Sequence, residues 1–152
     1  MPIQTIENGV FQFPIQQDDI RRILRTGEYM MPTGAYYVST AAAGADIIEA
    51  IPFFVPRDKT VDRIAIETTV AAAAGKVVRM GIYRDGTNLY PGALLLDAGT
   101  LLVDDAAAVH PITISQALTK GLYWLVAVTD GTPTIRKLYG NQGLYGQSPL
   151  GL

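Results

Sequence analysis

The sequence contains no cysteine, which excludes a disulfide framework, a thiolate nucleophile and a sulfur-ligated metal, and leaves the chain indifferent to redox compartment. It is also poor in charge. Charged side chains are 17% of the 152 residues, against about a quarter in ordinary globular domains. A surface so short of charge suits a component that covers much of itself with partners. Twelve basic and 14 acidic side chains give a formal charge of -2, and no Lys/Arg block exceeds Arg21-Arg22. The electrostatic footprint of a nucleic-acid binder is therefore missing. No apolar run approaches the roughly 20 residues that span a bilayer, and the start of the chain lacks the basic and apolar regions of a signal peptide. The expectation is a protein neither membrane-inserted nor secreted through a leader.

Helical periodicity is scarce. Asp18 can cap one turn in which Ile20, Ile23 and Leu24 share a face, and Gly27 can end it, so a single short helix is predicted over 18–26. The rest reads as strands. From Val61 to Val70 the chain alternates, with Ile64, Ile66, Thr68 and Val70 on one face and Arg63, Ala65 and Glu67 on the other. Lys76 to Arg84 places Val78, Met80 and Ile82 on one side, and the two segments are expected to form a hairpin through Ala71 to Gly75. Asp85-Gly86-Thr87-Asn88 and Tyr90-Pro91-Gly92 read as a turn-rich loop. Three short strands follow at Ala93 to Leu96, Gly99 to Val103 and Val109 to Ser115. Leu122 to Val128 is apolar on both parities, which predicts a strand in the middle of a sheet and covered on both faces. Thr134 to Leu138 supplies a closing strand, and Tyr36 to Thr40 and Asp46 to Val55 supply two more. Pro52 puts the last of these at a sheet edge or at a bulge.

The fold class is thus all-β, an antiparallel β-sandwich. Residues 1–32 form an N-terminal extended arm with the short helix, 33–139 the sandwich, and 140–152 an extended Gly- and Tyr-rich tail. Ile3, Ile6, Val10, Phe11, Phe13 and Ile15 are apolar in a segment with no clear hairpin partner, which makes them the candidate assembly contacts.

Catalytic chemistry finds little to work with. The one histidine, His110, precedes Pro111 at a predicted strand start with no nucleophile motif nearby, and reads as a surface or turn residue. Asp104-Asp105 is a carboxylate pair, but neighbours on a strand or turn point apart, whereas glycoside hydrolysis needs two carboxylates converging across a cleft. Asp85 to Asn88 has the oxygen-rich start of a calcium loop without its further acidic ligands. Gly75 and Gly81 lack the strand-loop-helix setting of a phosphate cradle. Tyr29, Tyr36, Tyr37, Tyr83, Tyr90, Tyr123 and Trp124 could offer stacking platforms to a sugar, though scattered aromatics in a β domain ordinarily serve packing. Neither a cofactor nor a metal is expected.

The stretch Ile51-Pro52-Phe53-Phe54-Val55-Pro56 to Val61-Asp62-Arg63-Ile64-Ala65-Ile66, then Arg79 to Tyr83 and Tyr90 to Thr100, resembles a domain recurring in virion proteins of tailed bacteriophages. Ile112 to Leu118 and Gly121 to Val128 extend the likeness over most of Ile51 to Val128. The resemblance implies a jelly-roll-like sandwich, a virion location, assembly as homotrimers, and phage capsid or tail proteins as partners. Lacking a repetitive shaft and a second receptor-binding module, the chain fits a capsid decoration (cement) protein better than a tail-fibre adhesin binding host carbohydrate. A glycan-cleaving virion enzyme is the third class.

Overall fold

A computed structural model describes residues 6–7, 10–11, 37–106 and 108–139. The chain divides into two compact units, Met1–Met31 and Pro32–Leu152. In the first, β1 (Ile6–Glu7) pairs antiparallel with β2 (Val10–Phe11), Ile6 opposite Phe11 and Glu7 opposite Val10. The arm residues expected to lack a hairpin partner therefore include a short ladder. The segments predicted as helix (18–26) and tail (140–152) lie outside the described residues.

The second unit holds eight strands: β3 (Tyr37–Ala42), β4 (Ile48–Val55), β5 (Lys59–Val70), β6 (Val77–Asp85), β7 (Pro91–Leu102), β8 (Ala108–Leu118), β9 (Gly121–Thr129) and β10 (Thr134–Tyr139). They form two antiparallel four-stranded sheets in the orders β3-β10-β5-β8 and β4-β9-β6-β7. Apart from the β6–β7 hairpin, every connection crosses from one sheet to the other. Eight strands wound this way, with first and last side by side, make a jelly roll.

The core lies between the sheets. Ile64 and Leu118 from one sheet meet Val55, Val78, Met80, Ile82 and Tyr123 from the other, with Val103 closing one end. Burial of each such side chain is worth about 1.5–3 kcal/mol relative to exposure. The Tyr123 ring packs on Phe53 with centroids 5.7 Å apart, and its hydroxyl donates to the Thr119 carbonyl at 3.0 Å, so the one polar atom of this core aromatic is satisfied.

The alternation read in β6 is borne out: Val78, Met80 and Ile82 are all buried. The hairpin between β5 and β6 is not. β5 pairs with β8 and β10, and β6 with β7 and β9. Both strands turn their apolar parity inward, so the Ala71 to Lys76 connection carries the chain across the core instead of around a hairpin. That connection is pinned by Ala72 N–H to Val103 O (2.9 Å) and Val103 N–H to Lys76 O (2.9 Å).

The segments Ala93 to Leu96 and Gly99 to Val103 are one strand, β7, kept continuous by register shifts opposite Met80/Gly81, Ile82/Tyr83 and Tyr83/Asp85. At the first shift Gly99 takes φ +90°, a conformation that suits glycine. β9 is interior to its sheet, as its two-sided apolarity predicts, and β4 is an edge strand, so Pro52 sits where a missing N–H is tolerated. β10 does not close the sheet but lies inside it, between β3 and β5.

Candidate assembly surface

The two outward faces of the sandwich differ in chemistry. On the β3-β10-β5-β8 sheet, outward positions include Thr40, Arg63, Glu67, Thr69, Thr113 and Arg136, with Arg136 Nε donating to Glu67 at 2.7 Å. Ala65, Pro111 and Val109 share that side, so this exterior mixes polar and apolar positions. On the β4-β9-β6-β7 sheet the register puts Ile48, Ala50, Pro52 and Phe54 beside Leu122, Trp124, Val126 and Val128. These in turn lie beside Arg79, Gly81 and Tyr83, and beyond them Leu94 and Leu102. The outward parity is apolar apart from Arg79, Thr100 and Asp97.

Its middle and its margins differ in exposure. Trp124 on the central strand is only 4% exposed, while Ile48 (69%) and Phe54 (44%) on β4 and Leu94 (52%) and Leu102 (51%) on β7 stand out along the two edges. The exposed apolar side chains thus flank a middle, Trp124 and Val126, that is already out of water. Two of the face's charges compensate each other. Arg79 forms a two-pronged ion pair with Asp97, which also accepts from the Gly99 N–H at 3.0 Å. These bonds hold the Asp97 carboxyl below its ordinary range and the Arg79 guanidinium above its own. Asp85 accepts from the Trp124 indole N–H at 2.9 Å.

The loop at the end of this face is strained. Gly86 N–H donates to Tyr90 O at 2.8 Å, and between them Asn88 and Leu89 have φ of 56° and 59°. Asn tolerates the left-handed region, whereas for Leu it costs about 1–2 kcal/mol. Gly86 and Gly92 approach so closely that a Cβ on either would lie 3.0 Å or less from backbone of the other turn residue. The turn thereby presents Leu89 and Tyr90 to solvent. Asp85, assigned at the sequence level to the start of an incomplete calcium loop, is used as a hydrogen-bond acceptor for Trp124.

His110 requires correction. It is buried at 5% exposure, with Nε2 2.8 Å from the Thr68 hydroxyl. That hydroxyl donates its one proton to the Asp105 carbonyl at 2.8 Å, so the ring must donate to it, and the proton sits on Nε2. The Asp105 carboxylate lies 3.6 Å from the same nitrogen. A catalytic triad needs nucleophile and carboxylate on opposite ring nitrogens and a reachable hydroxyl. Here both lie on one nitrogen, and Thr68 is wholly buried. The cluster ties the β7–β8 turn to β5. Asp104 points elsewhere, accepting from the Gly75 N–H at 2.9 Å, so the two adjacent carboxylates do not converge. Among the described residues every buried side-chain nitrogen or oxygen has a hydrogen-bond partner.

Of the six arm residues singled out in the sequence, Ile6, Val10 and Phe11 fall in β1 and β2, while Ile3, Phe13 and Ile15 lie outside the described residues. Sequence reasoning missed Ile48, Phe54, Leu94 and Leu102 as surface residues. Their signal was the apolarity of Leu122 to Val128 on both parities, which makes both faces of the sheet apolar. No protein-family model matches the chain, and no curated protein does.

Proposed function

We propose that this chain is a non-enzymatic structural protein of a tailed-bacteriophage virion, a capsid decoration (cement) protein that stabilises the particle through contacts with neighbouring protein subunits. The observation that carries an assembly role is the largely apolar outer face of the β4-β9-β6-β7 sheet, with Ile48, Phe54, Leu94 and Leu102 exposed along its margins, set against the more mixed face on the other side. Removing such a face from water favours association roughly in proportion to the apolar area buried. The virion setting rests on the sequence resemblance between Ile51 and Val128.

The tail-adhesin alternative draws on exposed Tyr90 at the strained turn. A sugar platform needs an open aromatic face, and both Trp124 and Tyr123 are buried, which favours the cement reading.

Imaging of intact particles with a labelled antibody against the chain is the test. Label over the head supports the cement reading, label confined to the tail supports the adhesin, and particles without label overturn both.

A further inference from the structure

We infer that the flank of the sandwich bounded by β3 and β4 is held shut by the Glu49–Lys137 ion pair, a latch between the two sheets on the side where packing is thinnest. The two flanks are built differently. At one, the edge strands β7 and β8 approach each other, whereas β3 and β4, the edges at the other, show no comparable approach among the described residues. The core cluster draws Leu118 from β8 and Val78, Met80 and Ile82 from β6, and none of the described side chains of β3 or β10 belongs to it.

The positions beside the pair are small. Lys137 stands opposite Ser39 and Ile135 opposite Ala41 on β3, and Glu49 stands opposite Ala127 on β9. Small side chains bury little apolar area, and a segment with few buried apolar contacts is the first to open.

Across this flank Lys137 Nζ on β10 donates to Glu49 Oε1 on β4. The parity that buries Ile135 and Val55 turns Lys137 and Glu49 inward as well, and their side chains are 21% and 30% exposed. The Arg136–Glu67 and Arg79–Asp97 pairs, by contrast, each lie within one sheet. An exposed pair contributes little, but removing one member of a pair withdrawn from water leaves an uncompensated charge. That charge regains water only where β4 and β10 part.

Native-state hydrogen exchange of the full-length protein tests the latch, with Glu49→Gln, Lys137→Met and the control Arg136→Gln, which breaks the neighbouring pair within one sheet. Circular dichroism establishes that each variant is folded. Should either latch variant fail to fold, Glu49→Asp, which shortens the reach by one methylene, replaces it. The expected result is amide exchange faster by about tenfold or more in the β3–β10 ladder and at the start of β4, with protection unchanged in the β5–β8 and β6–β7 ladders. Arg136→Gln should show no such selectivity. Acceleration equal on both flanks, none in the β3–β10 ladder and β4, or the same selective opening in Arg136→Gln overturns the inference.

Discussion

The Trp124 indole N–H donates to the Asp85 carboxylate at 2.9 Å, joining the central strand of the apolar sheet to the start of its strained turn. The bond satisfies the polar atom of a nearly buried aromatic and fixes the origin of the turn that presents Leu89 and Tyr90. Trp124→Ala should destabilise the protein by about 3–5 kcal/mol, the range for losing a large buried aromatic. Asp85→Ala, which strands the indole N–H, should cost about 1–3 kcal/mol. Urea unfolding of both single variants and the double variant should show a coupling of at least about 0.5 kcal/mol. Strict additivity would mean that the bond does not hold the turn.

Thr68 and His110 support a prediction of different form. Thr68→Val keeps the shape but removes the hydroxyl that accepts from His110 and donates to Asp105 O. It should destabilise by about 1–3 kcal/mol although the residue becomes more apolar. Thr68→Ser should recover most of the loss. Equal stability of Val and wild type in denaturant would show that the buried network contributes nothing.

Acid sensitivity follows from two outward ion pairs. The hydrogen bond from Arg136, aided by its charge, holds the Glu67 carboxyl below its ordinary 4.5. Arg79 and the Gly99 N–H hold Asp97 below its ordinary 3.8. A carboxyl whose pKa falls on folding contributes stability that is fully present above the unfolded value and is lost as pH falls through the lowered folded value. Both groups face solvent, so the effect is small. The Glu67→Gln, Asp97→Asn double variant should therefore lose less stability than wild type between pH 5 and strongly acid solution, measured by urea unfolding; parallel curves would contradict it.

Leu89 separates folding from assembly. Its φ of 59° is unfavourable for leucine, and the side chain is mostly exposed. Leu89→Gly should leave stability unchanged or raise it by up to about 1 kcal/mol by relieving the left-handed strain. A marked drop in melting temperature would show that Leu89 packs within its own domain.

The arm gives the last of these. Deleting Met1 to Gln16 removes Ile3, Ile6, Val10, Phe11, Phe13 and Ile15, each worth about 1.5–3 kcal/mol if buried on another surface. The sandwich should melt almost unchanged while attachment to particles weakens. Equal occupancy of truncated and full-length protein would remove the anchoring role, and a large fall in melting temperature would assign the arm to the sandwich core.

How much of this was legible in the sequence depended on whether a signal was local. The inward parity of Val78, Met80 and Ile82 and the edge position of β4 followed from alternation and from Pro52. The partner of β5 did not, because an apolar parity looks the same whether its strand pairs alongside or packs across the core. His110 was misread for a similar reason: its partner Thr68 is 42 residues away, and nothing next to His110 announces burial. The ladder in the arm did carry a local signal, Asn8-Gly9 between the paired residues, the dipeptide that favours a two-residue hairpin turn. The apolar outer face was present in plain form as the two-sided strand β9, but two-sided apolarity reads equally as cover from within the chain.

Because the chain has no cysteine, single cysteines placed on opposite faces report burial without interference. Leu94→Cys lies on the largely apolar face and Thr113→Cys on the mixed one, and both positions are exposed in the free chain. Thiol labelling is compared between dilute free protein and protein assembled on particles. The expected result is that Leu94→Cys reacts readily when free and is protected on assembly, while Thr113→Cys reacts in both states. Equal labelling of Leu94→Cys free and assembled would show that the apolar face stays open to water, and would contradict its role in assembly.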